Sequence, residues 1–223
     1  MTSKKIIDMH FHVGLLGDEF PWWGQMSEAY RKLLVYRVFL MYGRIRPEDV
    51  TDRTLRSATE KVISETNLDH VVCLALDPVY DQSGERKPYQ SNLWVDNEYI
   101  LDLRRSLGDK VMLGASVHPY EPDFQNRVSK YVEKGAVLLK WLPSAQQINL
   151  ADEKVRDALK FLAKVREGSP LPLLIHVGPE YAIPSVDERT SSYDFLSWSW
   201  WNRLRNVFRG SKKMAHPTSP KDR

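Results

Sequence analysis

The chain has 223 residues, with 32 Lys and Arg against 29 Asp and Glu, for a formal charge of +3. So small an imbalance organises no nucleic-acid or membrane surface, and 42% hydrophobic with 27% charged residues is the composition of a soluble globular protein, which excludes disorder and collagen. The single cysteine, Cys73, forms neither an internal disulfide nor a cysteine zinc site, so a reducing, cytoplasmic setting is expected, with no signal peptide ahead of Ile6 and Ile7.

The first apolar run, residues 5–12, reads as a strand. A long interval follows, in which a loop with Phe20, Pro21, Trp22 and Trp23 precedes two helical stretches, roughly 27–42 and 47–67. The most apolar window, 33–42, carries Arg37 in its middle and falls far short of the roughly 20 residues that span a bilayer, so it reads as a packed helix. The second stretch places Val50, Thr54, Ala58 and Val62 at helical spacing. This helical insertion is expected to roof the end of the first strand.

Further apolar runs at 70–77, 111–118, 136–142 and 171–177 carry Val, Ile and Leu on both faces, the mark of parallel strands buried on both sides. Between them lie helical periods: Leu93, Ile100, Leu103 and Leu107; then Phe124, Val128 and Tyr131; then Val155, Leu159, Leu162 and Val165. Gly108 marks a helix stop, and Pro122 with Asp123 a helix start. Strand, loop and helix repeat, which defines an α/β fold. Neither a G-x-G-x-x-G after the first strand nor a phosphate-binding G-x-x-x-x-G-K-[ST] occurs, so an incomplete (β/α)₈ barrel is expected in place of an open nucleotide-binding sheet. The barrel domain is assigned to residues 1–209 and a disordered basic tail to 210–223, with Trp198, Trp200 and Trp201 covering a sheet edge.

His10 and His12 close the first strand, and residues two apart share a face, so two imidazoles converge where a parallel barrel keeps its site. That spacing suits one divalent cation, with Zn²⁺ the simplest choice and Mn²⁺ or Fe²⁺ the alternatives. His176 ends the fifth run in the same structural position and reads as a ligand or a substrate contact. Lys140 closes the fourth run, where a cation is costly to bury, so its amine is read as a base, a Schiff-base former or a carbamylated metal bridge, against a side chain that snorkels to the rim. His118, at the end of the third run, is placed as a catalytic substrate contact, with a structural histidine before Pro119 as the rival reading. Asp8 is expected to be structural, its side chain out of step with the two imidazoles. Phe20, Trp22 and Trp23 line a substrate pocket or pack as a lid on their own helix.

The run Asp8-Met9-His10-Phe11-His12 resembles the D-x-H-x-H of the amidohydrolase superfamily, in its amidohydrolase-related branch of metal-dependent barrels. Leu139-Lys140-Trp141-Leu142-Pro143 is similar to the family's strand-four lysine segment, and Leu174-Ile175-His176-Val177-Gly178 to its strand-five histidine. The resemblance covers roughly residues 4–180. It implies His10, His12 and His176 as metal ligands and Lys140 as either a carbamylated bridge or a substrate-positioning cation. It implies a hydrolase that activates metal-bound water against an amide, ester or lactone of a small molecule. Decarboxylation by the same ligands and a non-catalytic remnant are the alternatives. The family's strand-six histidine and strand-eight aspartate have no counterpart among Asp187, Asp194 and His216, so the barrel is expected to be cut short after its fifth strand, with its exposed edges favouring a homo-oligomer. Neither nucleic acid nor membrane is expected as a partner.

Overall fold

The computed structural model describes residues 4–176 and Ile183. The expectations for Val177, Gly178, the tryptophans at 198, 200 and 201 and the tail 210–223 lie outside these residues. Five strands, β1 (Ile7–His12), β2 (His70–Leu74), β3 (Val111–Ala115), β4 (Ala136–Trp141) and β5 (Leu173–Ile175), form one parallel sheet in chain order. The helices are α1 (Leu34–Tyr42), α2 (Asp52–Glu65), α3 (Asn97–Leu107), α4 (Phe124–Glu133) and α5 (Glu153–Leu162). Among the described residues no helix is long and apolar enough to cross a membrane.

Alternation along the strands divides the apolar residues between two cores. Val71, Cys73, Leu113, Leu139 and Trp141 join Leu55, Leu103, Val128 and Leu159 of the helices in the main core, so this is the helix-covered outer face. The residues between them, Val72, Leu74 and Leu138, with Met112 and Leu174 beside them, make a second, smaller cluster on the inner face. Gly114 belongs to that face as well, since a Cβ there would stand 2.5 Å from Leu74 Cδ2. In a flat sheet β1 and β5 would lie about 19 Å apart, four strand spacings. Yet the His12 imidazole feels the charge of His176, just past β5, so the sheet is curled into a half-barrel with its inner face concave.

Local chemistry explains the helix boundaries. Thr51 and Thr54 form a reciprocal capping box at the start of α2, while Asp96 and Asp152 accept from Glu98 N and Lys154 N at the starts of α3 and α5. Gly108 ends α3 at φ +63°, as its position predicts.

Several expected boundaries move. The stretch 27–42 breaks after Glu28–Arg31, and 47–67 is a 3₁₀ turn at Pro47–Asp49 followed by α2. Leu93 lies not in a helix but in Leu93–Val95, which pairs antiparallel with Gly24–Met26. The inward face of α2 carries Asp52, Leu55, Thr59 and Ile63; the last three are one residue past the expected Thr54, Ala58 and Val62, and the expected Val50 lies ahead of the helix. The period is the same. Leu55 and Ile63 bury more apolar surface than the Thr54 and Val62 they displace, and the Thr59 hydroxyl is satisfied by Leu55 O at 2.9 Å.

Candidate functional site

Strand β1 is not regular. Asp8 pairs with Val71 and Phe11 with Cys73, so three residue steps on β1 oppose two on β2, a β-bulge. Uniform alternation would align Asp8 with both histidines; the bulge is what puts it out of step, on the outer face with Val71. From there its Oδ1 accepts the backbone N–H of His10 at 2.8 Å and holds the bulge in place. Past the bulge, His12 registers with Leu74 and looks into the concavity.

The two imidazoles meet there. His10 Nε2 and His12 Nε2 are 2.9 Å apart, with ring centroids 4.8 Å apart and planes inclined by 53°. At that separation one nitrogen donates and the other accepts, so the pair does not hold two full charges at once. His12 is pushed down to about 4, first by desolvation in the concave mouth and then by His10, Lys140 and His176, although its surface stays open to solvent. It is therefore neutral at pH 7, the state in which an imidazole can ligate a metal.

Lys140 follows Leu138 on the same face of β4 and is only 1% exposed, which disposes of the snorkelling alternative. Its strand position is tied from below, where Ser116 Oγ donates to Lys140 O at 3.1 Å. His176 follows β5 directly, and its N–H donates to Trp141 O at 3.2 Å. The charges of Lys140 and His176 both reach His12, so strands β1, β4 and β5 bring four nitrogen-bearing side chains to one end of the concavity. None of the inner-face positions beside them, Val72, Leu74, Met112, Gly114, Leu138 and Leu174, is acidic. Among the described residues no three His, Cys, Asp or Glu side chains stand close enough together to hold a metal. The donor chemistry fits a cation at the His10–His12 pair, and His176 is a neighbour of that pair and not a third corner of a closed cluster.

His118 is not brought to this mouth. It is 0% exposed, its Nε2 donates to Gln146 O at 2.9 Å, and its Nδ1 accepts from Tyr120 N at 3.2 Å. Its ring stacks on Tyr80 with centroids 5.2 Å apart. Burial pushes it down to about 4, so it is a neutral histidine with both nitrogens spent inside the fold, which is the structural role and not the substrate contact.

Around His118 lies a buried polar network that the sequence does not announce. Asn97 exchanges two hydrogen bonds with the Ser116 backbone, at 2.7 and 2.8 Å, and Gln146 binds Leu142 N and Asp77 O. Asp77 accepts from His118 N at 2.8 Å and pairs with Arg127 at 3.1 Å, and Arg127 also pairs with Glu121. Burial raises the Asp77 carboxyl, and Arg127 opposes that shift. The network ties together the chain just past β2, β3 and β4, which carry the floor of the concavity.

The aromatic loop after β1 is fastened by Asp52, a buried carboxylate that accepts from Leu16 N at 2.5 Å, Gly17 N at 3.1 Å, Glu19 N at 2.8 Å and Phe20 N at 3.3 Å. Trp23 packs on Phe20 at 5.4 Å and on Tyr99 of α3 at 5.8 Å, so this end of the loop is held by the fold itself. Neither the known family models nor the curated proteins include a match to this chain.

Proposed function

We propose that the chain is a metal-dependent hydrolase of the amidohydrolase-related type on an incomplete (β/α)₈ barrel. The observation that carries this reading is the 2.9 Å approach of His10 and His12, aimed into the concavity by a bulge that Asp8 fastens. His10 and His12 would hold a divalent cation, Zn²⁺ by preference, with His176 as a neighbour of that pair. When bound, such a cation lowers the pKa of a coordinated water and polarises a carbonyl. The protein's own part is to keep His12 neutral, to fix His10 through its backbone and to present the Lys140 amine from a dry wall. Lys140 then orients the substrate's polar group, or carries a carbamate. The apolar floor of Leu74, Leu138 and Leu174 excludes water beneath.

Decarboxylation of a small carboxylic acid is the second reading, favoured by one specific observation: among the described residues, the inner-face positions beside the histidines include no carboxylate to act as base. In that reaction the C–C bond to the carboxylate breaks, CO₂ leaves, and the electron pair left on carbon takes a proton from an imidazole or the Lys140 ammonium. The test is metal content on the purified full chain, followed by turnover of lactones, amides and aromatic acids with CO₂ trapping. About one divalent ion per chain, lost in His10→Ala and His12→Ala and kept in His70→Ala, is the expected result. Metal that persists in both of the first two variants would overturn the reading.

A further inference from the structure

Helix α1 is apolar nearly all round, with Arg37 its only charged residue. A helix of that kind is normally buried on every side. Here only one arc is covered: Tyr36 and Leu40 enter the main core, and Val35 and Phe39 pack beside them. The opposite arc stands in solvent, with Leu34 75%, Val38 36%, Met41 65% and Tyr42 76% exposed. At helical spacing these four side chains form one continuous stripe. No acidic residue lies between Glu28 and Glu48, whereas Arg31, Lys32, Arg37, Arg44 and Arg46 all do. Arg31 is paired with Asp18, and Arg46 with Glu48 and Asp49, but among the described residues Lys32, Arg37 and Arg44 make no ion pair. All three are exposed.

We infer that this face of α1 docks on an anionic lipid surface, lying in the headgroup plane without crossing the bilayer. An apolar stripe flanked by unpaired cations and free of acids is what such an interface selects. Charge decides against a second copy of the chain, because a two-fold contact through α1 would bring the two copies' Arg37 and neighbouring cations together. Tyr42 at the end of the stripe suits the water–lipid boundary, with an apolar ring and a polar tip. The near-neutral total charge conceals this surface, because the cations are local to the insertion between β1 and β2.

The full chain is sedimented with vesicles of phosphatidylcholine, alone or mixed with phosphatidylserine. Retention on the mixed vesicles only, weakening as salt is raised, is expected. Leu34→Asp and Met41→Asp should each lower it by roughly tenfold or more, and Arg37→Glu should lower it as well. The tail pair Lys212→Glu and Lys213→Glu should leave it unchanged. Each substituted helix side chain is exposed, so thermal unfolding should match the parent; if an aspartate variant fails to fold, Met41→Ser replaces it. No retention on mixed vesicles, retention lost with the tail charges instead of the helix, or a lipid-free dimer that Met41→Asp dissolves would each overturn the inference.

Discussion

His12 and His118 are both held down to about 4, and they do opposite things. His118 is wholly buried, with each ring nitrogen committed to a backbone group and the carboxylate of Asp77 on its own N–H. His12 faces the concavity, and the partner of its Nε2 is another imidazole, itself at the open mouth. A depressed histidine thus marks a site only when its partners leave it a free purpose. At His118 the fold consumes both nitrogens; at His12 the proposed cation would take the place of the hydrogen bond to His10.

The comparison breaks most forcefully at Asp77. Asp77→Ala should cost about 3 kcal/mol, because the buried His118 N–H would lose its acceptor and Arg127 would keep only one of its two carboxylates. Urea unfolding measures it, and a loss under 1 kcal/mol would mean that the network around His118 is not a structural unit.

Acid should act on the same network. The folded value of His118 lies below its ordinary 6.5, so between these values the unfolded chain binds the proton and the folded chain does not. The contribution is fully present above about pH 6.5 and is lost as pH falls to about 4, by up to about 3 kcal/mol. Urea midpoints taken across that window, compared with those of His118→Gln, isolate the slope; an equal slope in the variant would assign it elsewhere.

At the mouth the expected pattern is reversed. His12→Ala should change stability by no more than about 1 kcal/mol, as at an exposed position, while abolishing stoichiometric metal. A large loss of stability there would erase the distinction from His118. The smallest effect is expected at Asp8. Asp8→Ala frees the His10 N–H and should cost about 1 kcal/mol or less, but weaken metal retention by roughly tenfold through the misplaced imidazole. Calorimetric titration with Zn²⁺ separates these two effects.

Much of this frame is legible in the chain. Two-faced apolar runs mark where β2, β3 and β4 begin and place β1 and β5 to within two residues, and Gly108 and Asp123 stand at the helix stop and start that the sequence implies. His10, His12, Lys140 and His176 are legible as strand-end residues because the position of a parallel strand's end follows from its own run. The offset of Asp8 is different in kind, since the pleat alone would align it with the histidines and only pairing with β2 reveals the bulge.

What only the tertiary structure decided are the features that depend on a second segment. The phase of α2 turns on which neighbours Leu55 and Ile63 find, and His118 is structural because Gln146 and Tyr120, distant or folded back on it, reach both of its nitrogens. Arg127, Asn97 and Gln146 carry no local signal, because a polar side chain looks the same in sequence whether it is solvated or buried against a partner. The exposed stripe of α1 is hidden for the same reason: composition shows a helix that needs covering all round, and only packing shows that one side is left bare. Periodicity is a property of one segment and can be read from it, whereas satisfaction of a buried polar group or an apolar face is a property of pairs of segments, and the fold alone brings those pairs together.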